Sequence, residues 1–126
     1  MGRIKTYSWA LIMGILSVGQ TNASDAHVKT FADCAGRLSA LMEHQWLFSD
    51  PDANRTQNER AAMISLLEAV MPEDAARQVL AYRIEAKQAQ AVLLTRATFN
   101  EDRQDAAWAL ARSDAEIGAC RSLMLG

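Results

Sequence analysis

In FADCAGRLSALMEHQWLF, residues 31–48, the side chains of Phe31, Cys34, Leu38, Leu41, Gln45 and Phe48 recur at steps of three and four. That spacing puts them on one face of an α-helix. It predicts a first helix over about residues 26–48, with Gln45 the one polar member of the stripe. The helix should stop at SDPDANRT (49–56), which is dense in turn formers. The same stretch contains Cys34, one of two cysteines in the chain. The other, Cys120, lies 86 positions further on, six residues before the end.

Working outward from residue 48, Thr56 and Glu59 have the spacing of a capping box and would open a second helix. Ile64, Leu67, Val70 and Met71 would be its buried side. In VMPED, Pro72 cannot continue a helical hydrogen-bond ladder but fits the first turn of a new helix, where Glu73 and Asp74 complement the dipole. A third helix is expected over about residues 72–98, with Val79, Leu80, Ile84, Ala91 and Leu94 buried. After the break at FNED, a fourth over about 101–123 would turn Trp108, Ala111, Ala115 and Ala119 inward, with Leu110, Ile117 and Met124 beside them. Between residues 24 and 126 there are only two prolines and three glycines, alanine is abundant, and no segment alternates with period two. The fold class is therefore all-α, a small up-down bundle. It has four helices, or three if Pro72 only kinks a single long one.

At 126 residues the chain makes one domain. Its start, MGRIKTYSWALIMGILSVGQTNASDAH, places Arg3 and Lys5 before an apolar run from Tyr7 to Val18 and then small polar residues. This is the layout of a secretory signal peptide, cleaved after Ala23 or after Ala26. Twelve apolar residues fall short of the roughly 20 that cross a bilayer. The organisation expected is a leader at 1–23 and a helical domain at 24–126. MGRIKT also matches a myristoylation pattern, but export explains the apolar run and acylation does not. NAS at Asn22 and NRT at Asn54 match the glycosylation triplet, relevant only in a eukaryotic secretory route.

Without Arg3 and Lys5, eleven of the thirteen basic side chains face fifteen acidic ones, a net charge of −4. That balance argues against nucleic acid as partner, and no basic amphipathic face suits anionic lipid. No stable membrane anchor is expected once the leader is removed. A periplasmic or extracellular location puts Cys34 and Cys120 in an oxidising compartment. An up-down bundle brings the start of its first helix and the end of its fourth together. A Cys34–Cys120 disulfide is the expected result.

The chain lacks the usual catalytic and cofactor patterns. There is no Cys-x-x-Cys-His for haem, no Gly-x-Ser-x-Gly elbow, and no Glu-x-x-His pair for a di-iron site. Met42 and His44 would suit copper by ligand softness, yet two residues apart they do not share a helix face. No cofactor and no metal site are expected. Paired carboxylates such as Glu43 with Glu68, or Glu85 with Glu116, read as a solvated surface.

The tract YRIEAKQAQAVLLTRATF (82–99) threads Arg83, Lys87, Gln90 and Arg96 among residues expected to be buried. It reads either as a polar groove for a partner or ligand or as an outer face laced with salt bridges. Arg83, Lys87 and Gln90, with Trp46 beside Leu47 and Phe48, are the candidate contact residues. The function expected is that of an exported helical protein without catalytic machinery, acting through protein or small-ligand contacts. A small-molecule or copper carrier with an interhelical cavity is the alternative.

Overall fold

A computed structural model describes residues 23–126 together with Gly2, and the expected leader lies outside the described residues except for Gly2 and Ala23. Four α-helices make up nearly all of it: α1 (Ala23–Leu47), α2 (Ala53–Val70), α3 (Ala76–Phe99) and α4 (Arg103–Leu125). Pro72 separates two helices and does not merely kink one. Its ring excludes helical geometry from the residue before it, so Met71 is extended at ψ 122° and Pro72 itself at ψ 150°. A single 3-10 turn, Glu73–Ala75, then leads into α3.

Residue pairs across the interfaces give the directions. Lys29 lies over the Tyr82 ring and His44 is beside Thr98, so α1 and α3 run the same way. Val28 clustered with Leu67 and Ser39 bonded to Arg60 set α2 antiparallel to α1, and Cys34 bonded to Cys120 with Arg37 paired to Glu116 does the same for α4. The sequence is up, down, up, down, as expected for a bundle. The arrangement is centred on α1. Its most extensive contact is with α3, followed by α2, and α4 packs mainly on α3. No Cα of α2 comes within 8 Å of a Cα of α3, which leaves an open groove between them over α1.

Small residues allow this layout. Ala32, Ala35, Gly36, Ser39 and Ala40 are all buried on α1. A Cβ at Gly36 would overlap the Arg83 carbonyl oxygen and stand 3.0 Å from the Lys87 amide nitrogen. The two parallel backbones thus meet with only a hydrogen between them, an approach at which weak Cα–H···O contacts recur.

Two apolar clusters flank the crossing. Cys34, Ala35, Leu38, Met63, Ile117 and Cys120 form one, and Val28, Ala32, Leu67 and Val79 the other. The disulfide is present, with the two Cα atoms 5.4 Å apart. Cys34 is three turns into α1, so the bond ties the middle of the central helix to the last turns of α4. Such a bond fits a non-cytoplasmic compartment. Among the described residues, no helix is long and apolar enough to cross a membrane.

Several local expectations are corrected. Helix α2 begins at Ala53, before Thr56, because Asp50 accepts from the Asp52 amide and turns the chain earlier. Thr56 is consequently fully buried inside the helix and caps nothing, while Glu59 pairs with Arg55 and Arg121. On α1, Phe48 falls beyond the last helical residue and is half exposed. On α3 the buried residues are Val79, Ala86, Gln90 and Leu94, whereas Leu80, Ile84 and Ala91 face outward. On α4, Ala109, Ser113, Ile117 and Cys120 are buried, and Trp108, Leu110, Ala111, Ala115 and Ala119 are exposed. The cap of α4 is Asp102, whose carboxylate accepts from the Gln104 and Asp105 amides.

Candidate groove between α2 and α3

The concavity left where α2 and α3 fail to meet has a volume of about 210 Å³. Its floor is α1 at Gly36, Ser39 and Glu43, three positions on one helix face. One side is Arg60 of α2. The other is α3, which contributes Leu80, Arg83, Ile84 and Lys87. Two of the residues singled out in the 82–99 tract, Arg83 and Lys87, are therefore brought together here. Arg60 and Ser39 join them from helices whose approach could not be read from the sequence.

The polar geometry of the groove is specific. The Ser39 hydroxyl donates to the Ala35 carbonyl oxygen at 2.7 Å and accepts from Arg60 Nε, also at 2.7 Å. Arg60 is thereby held against α1 by its Nε alone. Lys87 Nζ donates to Glu43 Oε1 at 2.6 Å. Neither Arg60 nor Arg83 has a carboxylate partner among the described residues. The lining thus carries three cations against the single carboxylate of Glu43, in a chain whose formal net charge is −2.

Gln90 is not in the groove. It is fully buried and joins three helices: its Nε2 donates to Ser113 Oγ at 2.8 Å on α4, and its Oε1 accepts from Arg37 of α1 at 3.3 Å. Replacing Gln90 with leucine, close in volume, would strand the Ser113 hydroxyl and leave Arg37 with Glu116 as its one partner among the described residues. A loss of about 1–3 kcal/mol in chemical unfolding is expected, with groove binding unchanged. Equal unfolding midpoints for the two proteins would contradict this structural role.

Trp46 is half exposed at the far end of α1, where Leu47, Phe48 and Phe99 are also exposed and the Phe48 and Phe99 rings lie 6.1 Å apart.

A second cleft, of about 350 Å³, is bounded by His44, Gln45, Asp50, Asp114, Arg121 and Ile117 among others. Met42 lines the first groove and His44 the second, so the pair considered for copper is divided between two sites. Among the described residues, no three His, Cys, Asp or Glu side chains gather as metal ligands. Arg55 and Arg121 in the second cleft both pair with Glu59, in contrast to Arg60 and Arg83. Glu116 pairs with Arg37 and Arg112, while Glu85 lines a depression with Lys29 and Asp33.

Asp105 titrates below the usual carboxylate range because Arg96 hydrogen-bonds it, with Asn100 adding to the effect. This pair ties α3 to the start of α4 at a half-exposed position. No protein-family model matches the chain, and no curated protein or solved structure is detectably similar to it.

Proposed function

We propose that this is an exported, non-catalytic helical binding domain, periplasmic where the cell has a periplasm, and that the α2/α3 groove contacts an anionic group of its ligand or partner. The observation that carries the reading is the pair of arginines, Arg60 and Arg83, uncompensated by carboxylates at a concave site. Elsewhere five arginines are paired, Arg37 and Arg112 with Glu116, Arg55 and Arg121 with Glu59, Arg96 with Asp105, while Arg77 and Arg103, also without a carboxylate among the described residues, are exposed to solvent. Guanidinium groups left unpaired in a hollow are suited to a carboxylate or phosphate, which their planar donor forks match. The export half of the reading is supported by the leader-like start of the sequence and by the disulfide.

The test is an acetate titration of the oxidised protein followed by amide NMR at low salt. Saturable shifts are expected at Ser39, Arg60, Arg83 and Lys87, weakening as salt is raised. The Arg60→Gln/Arg83→Gln double variant should bind at least about tenfold more weakly, matching the loss of charge-assisted hydrogen bonds. Shifts centred elsewhere, or an unaltered affinity in the double variant, would remove the groove as the site.

A further inference from the structure

We propose that the groove takes a small amphiphilic carboxylate, a charged head on a short aliphatic tail, in preference to a bare inorganic anion. This inference rests on the anion-binding reading above. It follows from the apolar surface that the groove sets beside its cations. The cations gather around Ser39 and Glu43, with Arg60 bonded to the serine, Lys87 bonded to the glutamate, and Arg83 one turn before Lys87 on α3. The apolar wall is Leu80 and Ile84, also one turn apart on α3; Ile84 lies between Arg83 and Lys87, and Leu80 lies beyond Arg83, away from Lys87. These two side chains are 54% and 47% exposed, although both belong to a class that folding normally buries. A hydrated phosphate would gain nothing from such a wall, whereas an aliphatic tail would cover it.

Length and volume bound the tail. Leu80 to Lys87 is seven residues along α3, roughly 10 Å at the helical rise. A head held at Lys87, at one end of this span, then leaves room for about five or six carbons before the tail passes Leu80. A space of about 210 Å³ is smaller than pockets that enclose drug-sized molecules, which favours a ligand of this modest size.

The floor accounts for the position of the head. Gly36 has no side chain, so the α1 and α3 backbones close the bottom of the groove. Ser39 directs its own proton to Ala35 and so presents only an acceptor to Arg60. The serine is therefore a positioning residue. It fixes Arg60 through Nε, and the terminal nitrogens make no hydrogen bond among the described residues, so they are left for the carboxylate.

The experiment is a chain-length series on the oxidised protein, using acetate, butanoate, hexanoate and octanoate, with inorganic phosphate and hexan-1-ol as controls. Affinity is expected to rise about twofold per added methylene up to hexanoate, about half the gain in factor that full burial of a methylene would give. It should then level off at octanoate, and hexan-1-ol should give no saturable shifts at Arg60 or Arg83. The Leu80→Ser/Ile84→Ser variant, altered only at exposed positions, should flatten the series, so that hexanoate binds no more tightly than acetate. Affinity independent of tail length, with phosphate binding as well as hexanoate, would overturn the amphiphile and leave the anion groove intact. No response at Arg60 and Arg83 to any of the anions would overturn both. Affinity still climbing at octanoate, with shifts spreading to Trp46 and Phe99, would overturn the length limit and point to the apolar end of the bundle.

Discussion

Replacing Gly36 with alanine is expected to destabilise the protein by at least about 3 kcal/mol, at the upper end of what overpacking usually costs. The added methyl would overlap the Arg83 carbonyl oxygen and crowd the Lys87 amide, and both atoms belong to the backbone of α3. No rotamer change relieves a clash with backbone, so α3 must move off α1 along their whole contact. The expected loss is net of the roughly 0.5–1 kcal/mol that alanine gains over glycine in a helix. Gly118 supplies the control. It is also helical and is exposed, and a Cβ there would meet nothing within 4 Å. Gly118→Ala should therefore raise stability by about that same 0.5–1 kcal/mol. Urea unfolding of the three proteins would decide the matter, and a Gly36→Ala midpoint at or above that of the parent would contradict the close crossing.

The same crossing explains which parts of the fold could be read from the sequence. A helical up-down bundle and the Cys34–Cys120 bond follow from period, topology and cysteine count, and both are present; at Pro72 the sequence allowed a kink or a break, and the structure has the break. The inward faces of α3 and α4 followed only at Val79, Leu94 and Ile117. Apolar size is a poor guide where the partner surface is Gly36, Ala35 and Ala32. Such a surface admits Ala86 and the α3 backbone, and it leaves Leu80 and Ile84 outside. In α4, alanines occupy both the buried and the exposed sides, so their spacing sets no phase. A usable marker was nonetheless in the sequence. Counting back from Cys120, whose disulfide faces α1, by three, seven and eleven residues gives Ile117, Ser113 and Ala109, the buried set. The groove was half legible. Arg83 and Lys87 stood out as charges among apolar neighbours, but Arg60 and Ser39 belong to it only because α2 and α3 stay apart over α1, a matter of tertiary geometry. Gln90 stood out for the same reason as Arg83, and its role is internal: a polar side chain at a buried position must find partners, and it finds them on α1 and α4.

Removing the disulfide should have the other large effect, and a different one. For cysteines 86 positions apart, the chain-entropy account gives about 4–5 kcal/mol. That is a large share of the 5–15 kcal/mol typical of a domain. The double Cys34→Ala/Cys120→Ala variant is the suitable test, since alanine leaves no buried hydroxyl to satisfy. The bond bears heavily here because α4 packs only lightly on α1 and α2 and is otherwise attached through α3. Without it, α4 should open first, and its amides should exchange faster than those of α1. Equal unfolding midpoints for the oxidised parent and the double variant would contradict this. The two large effects also part at the groove. Cys34 lies two residues before Gly36, about half a helical turn around α1, so the disulfide locks α4 onto the side away from Arg60 and Arg83. Under conditions where it remains folded, the cysteine variant should bind acetate like the parent. Gly36→Ala shifts the wall that carries Arg83 and Lys87, so it should lose affinity along with stability. Acetate binding weakened equally in both variants would mean that the groove depends on α4 as well, and that the wall formed by α3 is not rigid by itself.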